Sequence, residues 1–237
     1  MGTHYSPRIV TDGLILYLDA ANTKSYPGTG TAWYDLSGNS HNGLLVNSPT
    51  FSSVDLGSIA FNGSTQSCNI VYPETSLNGD PLFTVEGVFT RTGTYSNMGA
   101  WGIGGMTLSG ICAYTDSSRP NKIAIDLWGT ATFDISVDYP LNVPVHVAWV
   151  KYAPGFSINS WYIYVDGVQY NSFYVQRGST HTPTLNASTN GLAVGKILSS
   201  LAQYYAPITV NTFKVYNKAL SAAEVLQNYN ALKSRYV

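Results

Sequence analysis

The sequence predicts an all-β protein, a two-sheet antiparallel jelly-roll sandwich with a short C-terminal helix. Three observations carry that expectation. Apolar and polar residues alternate with period two along most of the chain. The alternating runs are short and separated by turn dipeptides: Asn-Gly at 42–43, 62–63, 78–79 and 190–191, and Asp-Gly at 12–13 and 166–167. These pairs supply the positive φ that tight hairpins need. No βαβ alternation occurs, so the strands are expected to pair antiparallel.

Taken in order, the expected strands are "GLILYLD", "SIAFN", "SCNIVY", "LFTVEGVF", "SGICAYT", "KIAIDLW", "VPVHVAWVKY", "WYIYVDGVQY", "GLAVG" and "ITVNTFKVY". In the fourth, Phe83, Val85, Gly87 and Phe89 oppose Thr84, Glu86 and Val88. In the seventh, Val145, Val147 and Trp149 share one face, which makes Trp149 a core residue; Trp161 and Trp128 are read the same way. "WYIYVDGVQY" is the clearest hairpin, turning at Asp166-Gly167. The helix lies in "LSAAEVLQNYNALKSRY", where Ser221 and Glu224 have capping-box spacing. Val225, Tyr229 and Leu232 then fall on one stripe with Leu226 beside it, and the helix is expected to pack on the sandwich edge or rim as a structural cap.

At 237 residues the chain is long enough for one large domain. Residues 12–237 are assigned to the sandwich, and residues 1–11 to an extended N-terminal arm that could serve for attachment. Charged residues make up only 11% and the formal net charge is −1. No basic run marks a nucleic-acid partner, no segment is long enough to span a membrane as a helix, and no secretory signal opens the chain. Two cysteines, Cys68 and Cys112, are too few to define a disulfide framework, and their pairing is left open.

The residues offer little for catalysis. There are three glutamates, Glu74, Glu86 and Glu224, and none has a second carboxylate two or four positions away, as paired glycosidase acids on one strand would. Glu86 is read as a structural polar residue. His4, His41, His146 and His181 show no ligand spacing, no serine sits in a nucleophile elbow, and "WGIGGMTLSG" reads as an inter-strand loop rather than a phosphate cradle. A non-enzymatic protein is expected. Binding fits better, because eighteen tyrosines and five tryptophans provide amphipathic contact surfaces. Those next to loop signals, Trp33, Tyr34, Trp101, Tyr114, Tyr204 and Tyr205, are candidates for ligand contact, with Asp35 and Asn39 in "WYDLSGNSHNG". Trp33 and Tyr34 can equally anchor that loop to the sandwich.

In sequence order, "DGLILYLDAAN", "WYDLSGNSHNG", "SIAFNGS", "FTVEGVF", "VHVAWVKY", "IYVDGVQ" and "FKVYNKALSAAEVLQNY" resemble the signatures of the laminin-G-like jelly roll of the concanavalin A-like lectin/glucanase superfamily. The likeness runs from about Thr11 to Tyr236. The stretch "PRIVTDGLILYLDAANTKSYPGTGTAWYDLSGN" also resembles modules in structural proteins of tailed bacteriophages of marine and cyanobacterial hosts. The superfamily resemblance implies calcium as a cofactor. Asp19, Asn22, Asp35 and Asn39 would supply oxygen ligands if the end of the first strand and the next loop converge; alternatively they close turns through their own backbone.

Two functions follow as expectations. The first is a virion structural protein, on a capsid or tail, made in the host cytoplasm and displayed on the particle surface. It would contact other virion proteins, further copies of itself as a symmetric oligomer, and cell-surface glycans. The second is a calcium-assisted carbohydrate-binding module or adhesin not tied to a virion.

Overall fold

The computed structural model describes residues 7–54, 57–94, 98–105, 109–115, 118–127, 131–177, 184–197 and 204–236. In chain order the strands are β1 (Leu14–Asp19), β2 (Ala32–Trp33), β3 (Gly43–Val46), β4 (Thr50–Ser52), β5 (Ser58–Asn62), β6 (Ser67–Ile70) and β7 (Asn78–Gly79). Then come β8 (Phe83–Arg91), β9 (Met98–Gly105), β10 (Ser109–Thr115), β11 (Lys122–Leu127), β12 (Ala131–Asp138), β13 (Pro144–Lys151), β14 (Trp161–Val165), β15 (Val168–Tyr170) and β16 (Tyr174–Arg177). The chain continues through β17 (Leu185–Asn186), α1 (Ala187–Asn190), β18 (Leu192–Val194), β19 (Pro207–Tyr216) and α2 (Ala222–Leu232).

The strands form two large antiparallel sheets, so the expected sandwich is present. One sheet runs β15-β14-β13-β8-β19-β5-β4, with β1 also paired to β19, making eight strands. The other runs β16-β12-β11-β10-β9-β18-β6-β3-β2, making nine, and β7 and β17 form a separate small pair. β8 lies along one side of β19, while β5 and β1 share the other side end to end. The handover falls at Asn211, where the register with β8 shifts. Its amide nitrogen donates to the Gly57 carbonyl at 3.0 Å, and its own carbonyl accepts from Ala20 at 2.9 Å. A bulge thus tucks one extra residue into the longest strand.

Period-two alternation builds the core. Phe83, Val85, Phe89, Val147, Trp149, Phe213 and Val215 point inward from the eight-stranded sheet. Trp33, Cys68, Trp101, Ile103, Ile125 and Phe133 meet them from the other. Trp101 and Trp149 touch edge to face at 5.3 Å, and the Trp149 indole donates across the gap to the Ala124 carbonyl at 3.0 Å. Trp149 and Trp161 are core residues as expected. Trp128, His181, His4 and residues 1–6 of the arm lie outside the described residues.

Three readings change. Asp166-Gly167 does join β14 to β15, both residues having positive φ. Asn62-Gly63, by contrast, leads from one sheet to the other rather than around a hairpin. Gly43 has no positive φ but opens β3, and a Cβ there would fall 2.3 Å from the Cys68 sulfur, so glycine is needed for close packing. Most of "WGIGGMTLSG" is strand, not loop: residues 101–105 complete β9 and Ser109 opens β10. Cys68 and Cys112 lie in different clusters and form no disulfide with each other.

The helix also sits elsewhere than expected. Its capping box forms as predicted, with the Ser221 hydroxyl and Glu224 carboxylate capping each other's backbone amides. However, α2 lies on the outer face of the eight-stranded sheet, where Val225 packs with Ala148, Val150, Tyr164 and Tyr216. Its buried face carries Val225, Asn228 and Leu232, while Leu226 is exposed. The far end of the arm joins this layer: the Val10 amide donates to Asn228 Oδ1 at 2.7 Å, and the Tyr216 hydroxyl donates to the Val10 carbonyl at 3.1 Å.

Candidate functional site

The loop after β2 is organised around Asp35. Its Oδ1 accepts from the amides of Tyr17 (2.9 Å) and Ser37 (2.8 Å), and its Oδ2 from the Ser37 hydroxyl (2.7 Å) and the His41 amide (3.1 Å). Asn39 donates its side-chain amide to the Ile15 carbonyl at 3.2 Å and to Ser37 Oγ at 3.0 Å. Both side chains therefore tie the loop to β1. His41 is buried, with Nδ1 2.9 Å from the Ile15 carbonyl and Nε2 3.3 Å from Glu74. Trp33 is wholly inside the core, while Tyr34 stays 46% exposed and is held by its backbone amide on the Ser25 carbonyl.

Asp19 serves a second network, joined to the first through Tyr17. The Arg235 guanidinium grips it in a fork at 2.9 and 2.7 Å, and the Tyr17 hydroxyl (2.7 Å) and Ala21 amide (3.0 Å) donate to the same carboxylate. Burial would raise this carboxyl, but the Arg235 hydrogen bonds and charge, with the Tyr17 and Ala21 donors, together outweigh it and hold it below its ordinary range. Asn22 Oδ1 accepts from the Lys24 amide at 3.0 Å. The four residues proposed for calcium thus already spend their side chains on hydrogen bonds within the protein. A cation at Asp19 would have to displace Arg235, and among the described residues no group of three or more His, Cys, Asp or Glu side chains is placed to hold a metal. These residues do not fit a calcium cage.

The remaining candidates do not converge. Trp101 is fully buried against Trp149, so its reading as a ligand contact is corrected to core. Tyr205 is buried, with the Lys196 ammonium 5.9 Å from its ring, and Tyr204 packs on Cys112 and Ile197. Tyr114 sits opposite Gly99 in the β9–β10 pairing, and its side chain lies outside the described residues.

A coherent surface appears instead at the β12–β16 end of the nine-stranded sheet. Phe133 and Ile135 point into the core, so Thr132 and Asp134 point to the outer face. One residue of β11 opposes three of β12 between Lys122↔Asp138 and Ala124↔Asp134, and Ser136 there takes a positive φ of 60°. This irregularity turns Ser136 toward its neighbours. Asp134, fully buried, accepts from Arg119 Nε (2.8 Å) and Nη2 (3.1 Å), the Ser136 amide (2.6 Å) and Gln176 Nε2 (2.9 Å). Arg119 also donates to Ser136 Oγ at 2.9 Å, and its guanidinium lies 4.1 Å from the Tyr174 ring centroid. Tyr174 is 51% exposed. Beside it Lys122 pairs with Asp138 at 2.8 Å. Burial raises the Asp134 carboxyl, but the Arg119 hydrogen bond and its neighbours more than offset this and lower it; the same bond raises Arg119.

The result is an exposed aromatic ring set by a cation and rimmed by a serine, a glutamine and carboxylates. Sequence reading missed it because Arg119, Asp134 and Tyr174 are far apart in the chain and β-pairing brings them together. The signal available was the alternation in "ATFDISVD", which places polar residues on one face.

No family model and no curated protein matches the chain. Among solved structures, domain 4 of AbnA, a GH43 extracellular arabinanase from Geobacillus stearothermophilus in complex with arabinotriose, is similar at TM-score 0.63 and 12% identity, covering 91% of this chain and 98% of that one. Trypanosoma rangeli sialidase in complex with sialic acid is similar at TM-score 0.57 and 13% identity, over 98% of this chain and 36% of that one. A receptor binding domain is similar at TM-score 0.58 and 13% identity, over 94% and 52%. The chain spans about a third of the length of the sialidase chains it matches. These likenesses show a two-sheet β-sandwich fold. They correct the expectation of a non-enzymatic protein, because chains carrying this fold belong to a sialidase and an arabinanase.

Proposed function

We propose that the chain is a carbohydrate-binding β-sandwich domain, which holds a glycan on the Tyr174 platform and serves the processing or recognition of that glycan. The observation that carries this reading is the half-exposed Tyr174 ring, set by Arg119 and bordered by Ser136 and Gln176. A sugar presents an apolar C–H face and a rim of hydroxyls, which suits an aromatic ring beside hydrogen-bonding groups. The arabinanase domain, matched over nearly its whole length, is described as complexed with arabinotriose, and this supports a glycan as the ligand. Calcium has no part in the proposal.

A second reading keeps the same platform but places it on a phage particle. It is favoured by the resemblance of residues 7–39 to phage structural modules. Capsid or tail proteins and further copies of the chain would then be its partners, and the platform would face host glycans.

A glycan array probed with the purified chain, with and without chelator, tests both readings beside co-sedimentation with phage particles. Saturable, chelator-insensitive binding supports the first. A folded chain that binds no glycan overturns it, and co-sedimentation decides whether the second applies.

A further inference from the structure

We infer that the Tyr174 platform takes neutral sugars and disfavours those carrying a carboxylate. The inference rests on the glycan-binding reading above and names the class of glycan. Two cations whose side chains are described stand at the platform, Arg119 and Lys122, and the protein's own acids already engage both. Arg119 is held in a fork by Asp134, and Lys122 by Asp138. A fork between guanidinium and carboxylate matches charge and geometry together, so the pair presents little net charge to an incoming anion. A uronate or sialate docking here would have to displace Asp138 or sit beside two fixed carboxylates, and like charges at that separation repel.

Neutral hydroxyls meet no such barrier. The Ser136 oxygen accepts from Arg119, so its own O–H is directed elsewhere and can donate. Asp138 is 78% exposed at its side chain, and its carboxylate can accept from sugar hydroxyls while keeping Lys122. Tyr174 supplies the surface for the ring's C–H face. The platform therefore offers acceptors, donors and an apolar plane, with its positive charge already matched.

The test is calorimetric titration of the full chain, at low ionic strength, with pairs of oligosaccharides that differ only in one carboxylate, such as a neutral galactoside and its sialylated form. The neutral member is expected to bind more tightly by about ten-fold. Asp138→Asn removes an exposed acid, leaves the fold intact, and unpairs Lys122. It should raise affinity for the acidic member by roughly three-fold, a gain that fades as salt screens the charge. Tighter binding of the acidic member by the unaltered chain overturns this inference and leaves the glycan-binding reading standing, as does an Asp138→Asn variant with no gain. Failure to bind either member overturns both.

Discussion

The two outer faces of the sandwich use polar residues in opposite ways. On the eight-stranded sheet, Glu86 and Lys214 form a fully buried ion pair at 2.5 Å, with Asn228 of α2 donating to the second Glu86 oxygen at 2.9 Å. His146, also buried, lies 3.6 Å from the same carboxylate. The helix and the end of the arm cover this cluster. On the nine-stranded sheet, Asp134 is equally buried, but its partners Arg119 and Tyr174 reach the surface. The difference teaches how to sort the charges of a weakly charged protein. Where every partner of a buried charge is itself buried, the network holds elements together; where the partners surface beside an aromatic ring, the network also shapes a contact.

This contrast is most easily broken from the sealed side. Replacing Lys214 with methionine leaves the Glu86 carboxylate buried without its counter-ion, and should cost about 3–5 kcal/mol of stability in urea unfolding. Glycan affinity of the folded fraction should be unchanged. A cost below about 1 kcal/mol would mean that the pair is not the clamp described.

Acid provides the next largest effect. Burial raises the Glu86 carboxyl, but Lys214 and His146 together outweigh it and bring it down to about 2; Asp19 and Asp134 are also lowered, against burial, chiefly by Arg235 and Arg119. Their folded values lie below their unfolded ones, so the stability they contribute is complete above about pH 5 and is lost as pH falls toward about 2. Denaturation midpoints should fall steadily across that window, and a flat profile would contradict the ion-pair assignments.

The signature loop tests the boundary between structure and site. Asp35→Ala together with Asn39→Ala removes the ties between that loop and β1, and should cost about 1–3 kcal/mol without changing glycan binding or creating any calcium dependence. Retained stability with lost binding would restore the loop as a site.

Much of the fold was legible because each sheet has one face in the core. Phe83, Val85 and Phe89, and likewise Val145, Val147 and Trp149, follow the two-residue period that burial imposes. The capping box was readable from Ser221 and Glu224 alone. The placement of α2 was not, since its buried stripe includes Asn228, a polar residue whose burial makes sense only beside Glu86 and Val10. The site was less legible still. Loop position suggested Trp33 and Trp101, yet large aromatics beside turns can fill the core as readily as face solvent. Arg119 and Tyr174 carry no local pattern; they meet because β12 pairs with β16 and Asp134 of β12 holds Arg119.

The smallest change in stability should accompany the clearest change in binding. Tyr174→Ala removes a half-exposed ring and should alter stability by no more than about 0.5 kcal/mol. In titration with a neutral oligosaccharide that the unaltered chain binds, its affinity should fall about five- to ten-fold. Equal affinity in the two proteins would contradict the account and move glycan recognition away from this face.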